Sequence, residues 1–159
     1  MKPGKNSFII LLIIALLGTG GYYAFRDGVQ HGLNEKLEHS LELNRQAAEL
    51  FSEDKNAEAC ELLLESLSLN KLNPHTFAYL AFVEQNLGNS QQAYEYFIST
   101  LNMEATSVEV IRNLAELLIA SGHYAEAERH LNYGLKDYAE SGILLELLEN
   151  VKSLKEGNN

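Results

Sequence analysis

The stretch GNSQQAYEYFISTL, residues 88–101, is answered 34 residues later by GHYAEAERHLNYGL, residues 122–135. Few residues are identical, yet Gly88 and Gly122, Ala93 and Ala127, and Leu101 and Leu135 hold matching places. Extended outward, the same period divides the body into Ser40–Asn73, Pro74–Ser107 and Val108–Ser141. The eighth position of each line is Ala47, Ala81 and Ala115, and the twentieth is Ala59, Ala93 and Ala127. Two antiparallel helices approach closely only where their crossing carries side chains no larger than methyl, which accounts for both sets. Larger residues fill the space on either side: Leu43, Phe77 and Ile111 at the fourth position, Leu63, Phe97 and Leu131 at the twenty-fourth, Leu67, Leu101 and Leu135 at the twenty-eighth. Asp54, Gly88 and Gly122 share the fifteenth position, where a turn is expected. A period of this length indicates two helices and two turns, each pair stacking on the next because it cannot bury its apolar face alone.

These registers resemble the consensus spacing of the tetratricopeptide repeat (TPR) family over residues 40–141. The departures are specific. The family's Trp at position four is Leu43, Phe77 or Ile111, and the Pro near the repeat end is replaced by Lys71, Ala105 and Ala139. Gln46 and Glu84 stand where apolar residues are common. The expected fold is all-α: an N-terminal transmembrane helix (residues 1–25), a helical lead-in (26–39) and an α-solenoid of three TPR helix pairs (40–73, 74–107, 108–141). A capping helix (142–156) and a short tail (157–159) complete it. In the stretch GILLELLENVKSLKE, residues 142–156, Ile143, Leu144, Leu147, Val151 and Leu154 form one apolar stripe, as a terminal helix covering the last repeat requires. Gly28 and Gly32 are weak points in the lead-in.

The resemblance implies a binding module without catalytic chemistry, whose first helices line a concave groove for a protein or peptide partner. Carried to this sequence, the groove positions include Asn44, Arg45 and Ala48, then His75, Ala78, Tyr79, Phe82 and Asn86, then Glu109, Arg112, Asn113 and Glu116. Tyr79 and Phe82 are the expected anchors, with packing between adjacent repeats as the competing role. Arg45 and Arg112 are suited to hold a carboxylate or backbone carbonyls. Binding of chaperone tails is not expected, because Ala48 and His75 replace polar or basic groove groups of that pattern.

Ahead of the repeats, Lys2 and Lys5 precede an uncharged run from Phe8 to Phe25. Eighteen residues at 1.5 Å each give roughly 27 Å, close to a bilayer's hydrocarbon core. Tyr22, Tyr23 and Phe25 fall where an interfacial aromatic belt belongs. The segment reads as an uncleaved membrane anchor. A cleavable signal peptide ending near Gly18 and Gly20 is the competing reading. Flanking charge places the N-terminus in the cytoplasm and residues 26–159 beyond the membrane, in a bacterium the periplasm.

Beyond residue 25, ten of the chain's 12 Lys and Arg face all 22 Asp and Glu, a balance of 10 − 22 = −12. Such a surface repels phosphate backbones, so nucleic acid is excluded as a partner. Glycine-rich phosphate loops, GxSxG and HExxH are all absent from the sequence, and no cofactor, catalytic or metal residue is expected. His123, Glu126 and His130 share a helix face but read as a solvated face with an ordinary i, i+4 pair. Cys60, the only cysteine, reads as a small packing residue. Together these observations lead to a membrane-anchored adaptor, an accessory or assembly subunit of a membrane or envelope complex. The alternatives are a holdase or maturation factor, of the cytochrome c maturation or translocon-associated type, and a metal- or thiol-dependent enzyme.

Overall fold

The computed structural model describes the backbone of residues 5–157 and the side chains of residues 21–157. Among the described residues there are seven helices and no strand: α1 (Lys5–Ser52), α2 (Asn56–Leu69), α3 (Pro74–Asn86), α4 (Ser90–Asn102), α5 (Val108–Ala120), α6 (Tyr124–Gly134) and α7 (Gly142–Gly157). The chain divides into two units, residues 1–39 and residues 40–159. In the first, α1 passes through Gly28 and Gly32 without interruption. No helix of the described residues is long and apolar enough to cross a membrane. The apolar run read as an anchor at residues 8–25 lies, up to residue 20, outside the residues with described side chains.

The second unit is an all-α solenoid. Successive helices pack as neighbours from α2 to α7, and α3 also touches α5. The six small residues at repeat positions eight and twenty are all buried, none more than 1% exposed. Leu63, Phe97 and Leu131 are fully buried beside them. Removing one such side chain from water is worth about 1.5–3 kcal/mol, so these positions dominate the packing.

The turn inside each pair is the same device three times. Asp54, Gly88 and Gly122 adopt φ of 61°, 82° and 76°. The amide of the following residue, Lys55, Asn89 or His123, reaches five residues back to the carbonyl of Leu50, Glu84 or Leu118, at 2.9, 2.8 and 2.8 Å. This six-to-one hydrogen bond around a left-handed residue satisfies a carbonyl that the helix end would otherwise leave open. Between pairs, side chains start the next helix. Asn73 accepts from the His75 amide ahead of Pro74, and Ser107 accepts from the Val110 amide.

α7 differs from its expected register. Leu144, Leu148 and Val151 are the buried set, whereas Ile143 is 39% exposed. The i, i+4, i+7 spacing of the buried three defines the face that meets α5 and α6, and Ile143 lies one step off it. Lys155 Nζ donates to Glu128 Oε2 at 2.5 Å, joining α7 to α6.

One interface is polar at its heart. Asn44 Nδ2 donates to Thr76 Oγ1 at 2.9 Å, and Thr76 Oγ1 donates in turn to Asn44 Oδ1 at 3.1 Å. Ser66 Oγ donates to the Ser40 carbonyl at 3.0 Å, with the two serine hydroxyls 2.9 Å apart. All four residues are buried. Their hydrogen bonds offset the cost of removing these groups from water.

Candidate functional site

The end of α1, α3 and α5 enclose a concavity of about 230 Å³. Phe51 closes one side, Phe82, Gln85 and Asn86 come from α3, and Glu109, Arg112 and Asn113 from α5. The spacing follows from helical geometry, since residues three and four apart share a face. Phe82 is half buried: its ring meets Phe97 edge-on, centroids 5.5 Å apart at 65°, while its remaining surface lines the concavity. A ring held that way loses little freedom on contacting a ligand.

Polar groups on this lining are unevenly used. Asn113 Nδ2 donates to the Glu109 carbonyl at 2.8 Å, and Asn86 Nδ2 reaches Asn56 Oδ1 only at 3.5 Å. Gln85 Oε1 and Arg112 Nε are buried atoms with no hydrogen-bond partner among the described residues. Buried polar atoms without partners are uncommon, and both belong to side chains that line the concavity.

Of the residues inferred for a groove, Phe82, Asn86, Arg112 and Asn113 are brought together here, with Glu109 beside them. The others are placed elsewhere. Asn44 is only 7% exposed and spends its carboxamide on Thr76, so it belongs to the interior. Arg45 lies on the surface but is held by Glu42 and Glu49 of its own helix, at 2.6 and 2.5 Å. The Arg45 guanidinium, and after it the Gln46 amide, hold the Glu42 carboxyl down at about 2. Tyr79 is half buried against the cluster of Ala47, Leu63, Leu80 and Val83, which is a packing role between repeats. His75 and Glu116 are exposed and lie outside the concavity, and Ala78 packs onto the central core. Ala48 is half buried and also outside it.

Phe51 and Gln85 complete the lining without having been assigned to it. Both occupy the twelfth place of their repeats, one of the groove positions that the family pattern implies, so the signal was in the register.

The residues considered for chemistry have other uses. Tyr94 Oη donates to Glu126 Oε1 at 2.8 Å, and Arg129 lies 2.9 Å from the same oxygen. These contacts, Tyr94 first, hold the Glu126 carboxyl below its usual range against the opposing effect of burial. His130 Nε2 is 3.8 Å from Glu126, and burial lowers the imidazole's affinity for a proton. Among the described residues no group of three or more His, Cys, Asp and Glu is arranged to hold a metal ion. Cys60 Sγ contacts Glu84 Oε1 at 3.5 Å. Burial first, then the Glu84 charge, pushes the thiol up to about 11, so it is protonated at neutral pH and a poor nucleophile.

Comparison with known proteins agrees with this architecture. Residues 86–150 match the family model described as tetratricopeptide repeat. No curated protein matches the chain in sequence. Among solved structures, the Sgt2 TPR domain from Aspergillus fumigatus is similar at TM-score 0.67 and 18% identity, covering 75% of this chain and 81% of that one. The second TPR domain of human RPAP3, in complex with an HSP70 peptide, gives TM-score 0.65 and 12% identity, covering 76% and 98%. The Yersinia enterocolitica type III secretion chaperone SycD, in complex with a peptide of the translocator YopD, gives 0.61 and 22%, covering 73% and 88%. The fold of the helical repeats is thus that of TPR domains.

Proposed function

We propose that this chain is a non-catalytic adaptor that binds a segment of a protein partner in the concavity between α1, α3 and α5. The observation that carries this reading is the lining itself: Phe51 and Phe82 beside the carboxamide side chain of Gln85 and the cationic side chain of Arg112. Apolar rings supply contact area, and the polar pair selects a segment offering both a donor and a carbonyl or carboxylate oxygen. Similarity to a TPR domain and to a secretion chaperone, each solved with a bound peptide, supports the same use of the fold. In this proposal residues 8–25 anchor the chain in an inner membrane, its repeats face the periplasm, and the partner belongs to a membrane or envelope complex. Confinement to a plane raises the effective concentration of a partner in the same membrane.

A photo-crosslinker at Asn86 or Asn113 should capture one and the same polypeptide from native membranes, whereas one at Glu95 on α4 should not. Arg112→Ala should weaken that capture at unchanged helical content. Capture that is indifferent to position, or survival of full capture in the Arg112 variant, sinks the groove assignment. The similarity to a secretion chaperone supports a second reading, in which the groove holds an unfolded secretory segment. Recovery of many unfolded chains in place of one stoichiometric partner separates the two.

A further inference from the structure

The concavity between α1, α3 and α5 is a small space with two rings already in its wall. Phe51 lines it from α1 and Phe82 from α3, both half buried. Phe82 pairs edge-on with Phe97, but among the described residues no ring pairs with Phe51, so the two lining rings do not meet each other. The volume of about 230 Å³ sets a scale. A cavity of about 150 Å³ takes one benzene ring. The space therefore has room for a single ring somewhat larger than benzene, such as phenol or indole, and not for two.

Charge selects among side chains of that size. Residues 40–159 carry 8 Lys and Arg against 19 Asp and Glu, 8 − 19 = −11, yet the lining holds one of each sign, Glu109 and Arg112. Arg26, Arg45 and Arg129 each hold a carboxylate, whereas Arg112, half buried, holds none among the described residues. Nor does a ring lie beneath it there: the cations set over rings are Arg26 and Lys136. An anchor side chain with a net charge meets either Glu109 or Arg112 as a like charge. An aromatic ring has no net charge and presents both signs, a negative face and a positive edge. It answers a guanidinium over its face and a carboxylate at its edge together, which an aliphatic side chain of equal size does not.

The carboxamides on the lining narrow the ring further. Asn113 and Asn86 each spend Nδ2 inside the chain, on the Glu109 carbonyl and toward Asn56, which leaves their Oδ1 atoms as acceptors. An indole N–H or a phenol O–H is the donor that suits such an oxygen, and phenylalanine has none. We infer that the groove takes one aromatic side chain of the partner segment, tryptophan or tyrosine, seated between Phe51 and Phe82 with the Arg112 guanidinium over its face. This rests on the adaptor reading and names the anchor of the segment bound there.

The test uses the full chain in detergent, with N-acetyl-tryptophanamide and N-acetyl-leucinamide as probes. The chain contains no tryptophan, so the emission of the first probe reports its own burial. That probe should bind with blue-shifted emission, about tenfold more tightly than the leucine probe measured by competition. Arg112→Met, which keeps the length and removes the charge, should weaken it about threefold, and Phe82→Leu by about the same factor. Lys152→Met on α7 should leave it unchanged. Asn113→Phe, which fills the space from within, should abolish it at retained helical circular dichroism. Equal affinity for the two probes overturns the inference, as does no binding of the tryptophan probe, or binding that Arg112→Met and Asn113→Phe leave intact. Capture by crosslinkers at Asn86 and Asn113 is a separate readout. A partner segment still captured after its aromatic residues are changed to leucine keeps the adaptor and removes the aromatic anchor. A tryptophan probe seated in the groove with no partner captured keeps the ring site and removes the adaptor.

Discussion

Asn44 and Thr76 are 32 residues apart in sequence and exchange two hydrogen bonds in a buried interface. At the equivalent places in the next interface the chain has Ala78 and Val110. The protein therefore contains its own apolar version of the same contact. Asn44→Ala alone should cost about 1–3 kcal/mol, because the Thr76 hydroxyl loses its main partner. Adding Thr76→Val should recover part of that loss and give a coupling of roughly 1 kcal/mol in a double-mutant cycle read by urea unfolding. Strict additivity would show that the network contributes nothing as a unit.

Gly88 and Gly122 hold left-handed backbone with open space where a side chain would stand. Gly88→Ala and Gly122→Ala should therefore each destabilise by about 1–2 kcal/mol from backbone conformation alone. Gly142→Ala is the control: it has equally open space and no positive φ, and it should be neutral or mildly stabilising. Equal effects at all three positions would remove the turn explanation.

His130 supplies a pH signature. Burial first, then Arg129, lowers its proton affinity, and Glu126 opposes them only in part. With the folded value held below the ordinary 6.5 of histidine, the unfolded chain binds more protons over that window. The stability associated with a neutral His130 is thus complete above 6.5 and declines as pH falls through the interval beneath it. Glu126 is also depressed, and its contribution is lost at lower pH, below 4.5. His130→Gln should flatten the upper part of the denaturation midpoint plotted against pH and leave the acid limb in place. An unchanged slope below pH 6.5 would assign that slope to other groups.

The repeat was legible because its positions answer to steric rules that tolerate few residues. Ala81 and Ala93 must be small, and Gly88 must reach a left-handed conformation. No partner beyond the same helix pair is needed to see either. Asn44 was misplaced for the opposite reason. Its fate depends on the hydroxyl of Thr76 in the following repeat, and nothing within its own helix distinguishes an asparagine facing solvent from one facing a threonine. Arg45 was read by charge alone, whereas Glu42 and Glu49 on the adjoining turns already absorb that charge. Phe51 and Gln85 were visible in register, but an aromatic and a glutamine at helix ends look equally like surface residues.

The polar seam around Asn44 has a further consequence for assembly of the solenoid. Helix pairs with similar outlines risk stacking out of order, the first upon the third, during folding or between neighbouring chains. Placed against the third pair, Asn44 would meet the methyl groups of Val110 and bury a carboxamide with no partner, at a cost of about 1–3 kcal/mol. Among the described residues this hydrogen-bonded junction occurs at one place only. It marks the order of the pairs as a notch on one key blade marks its lock.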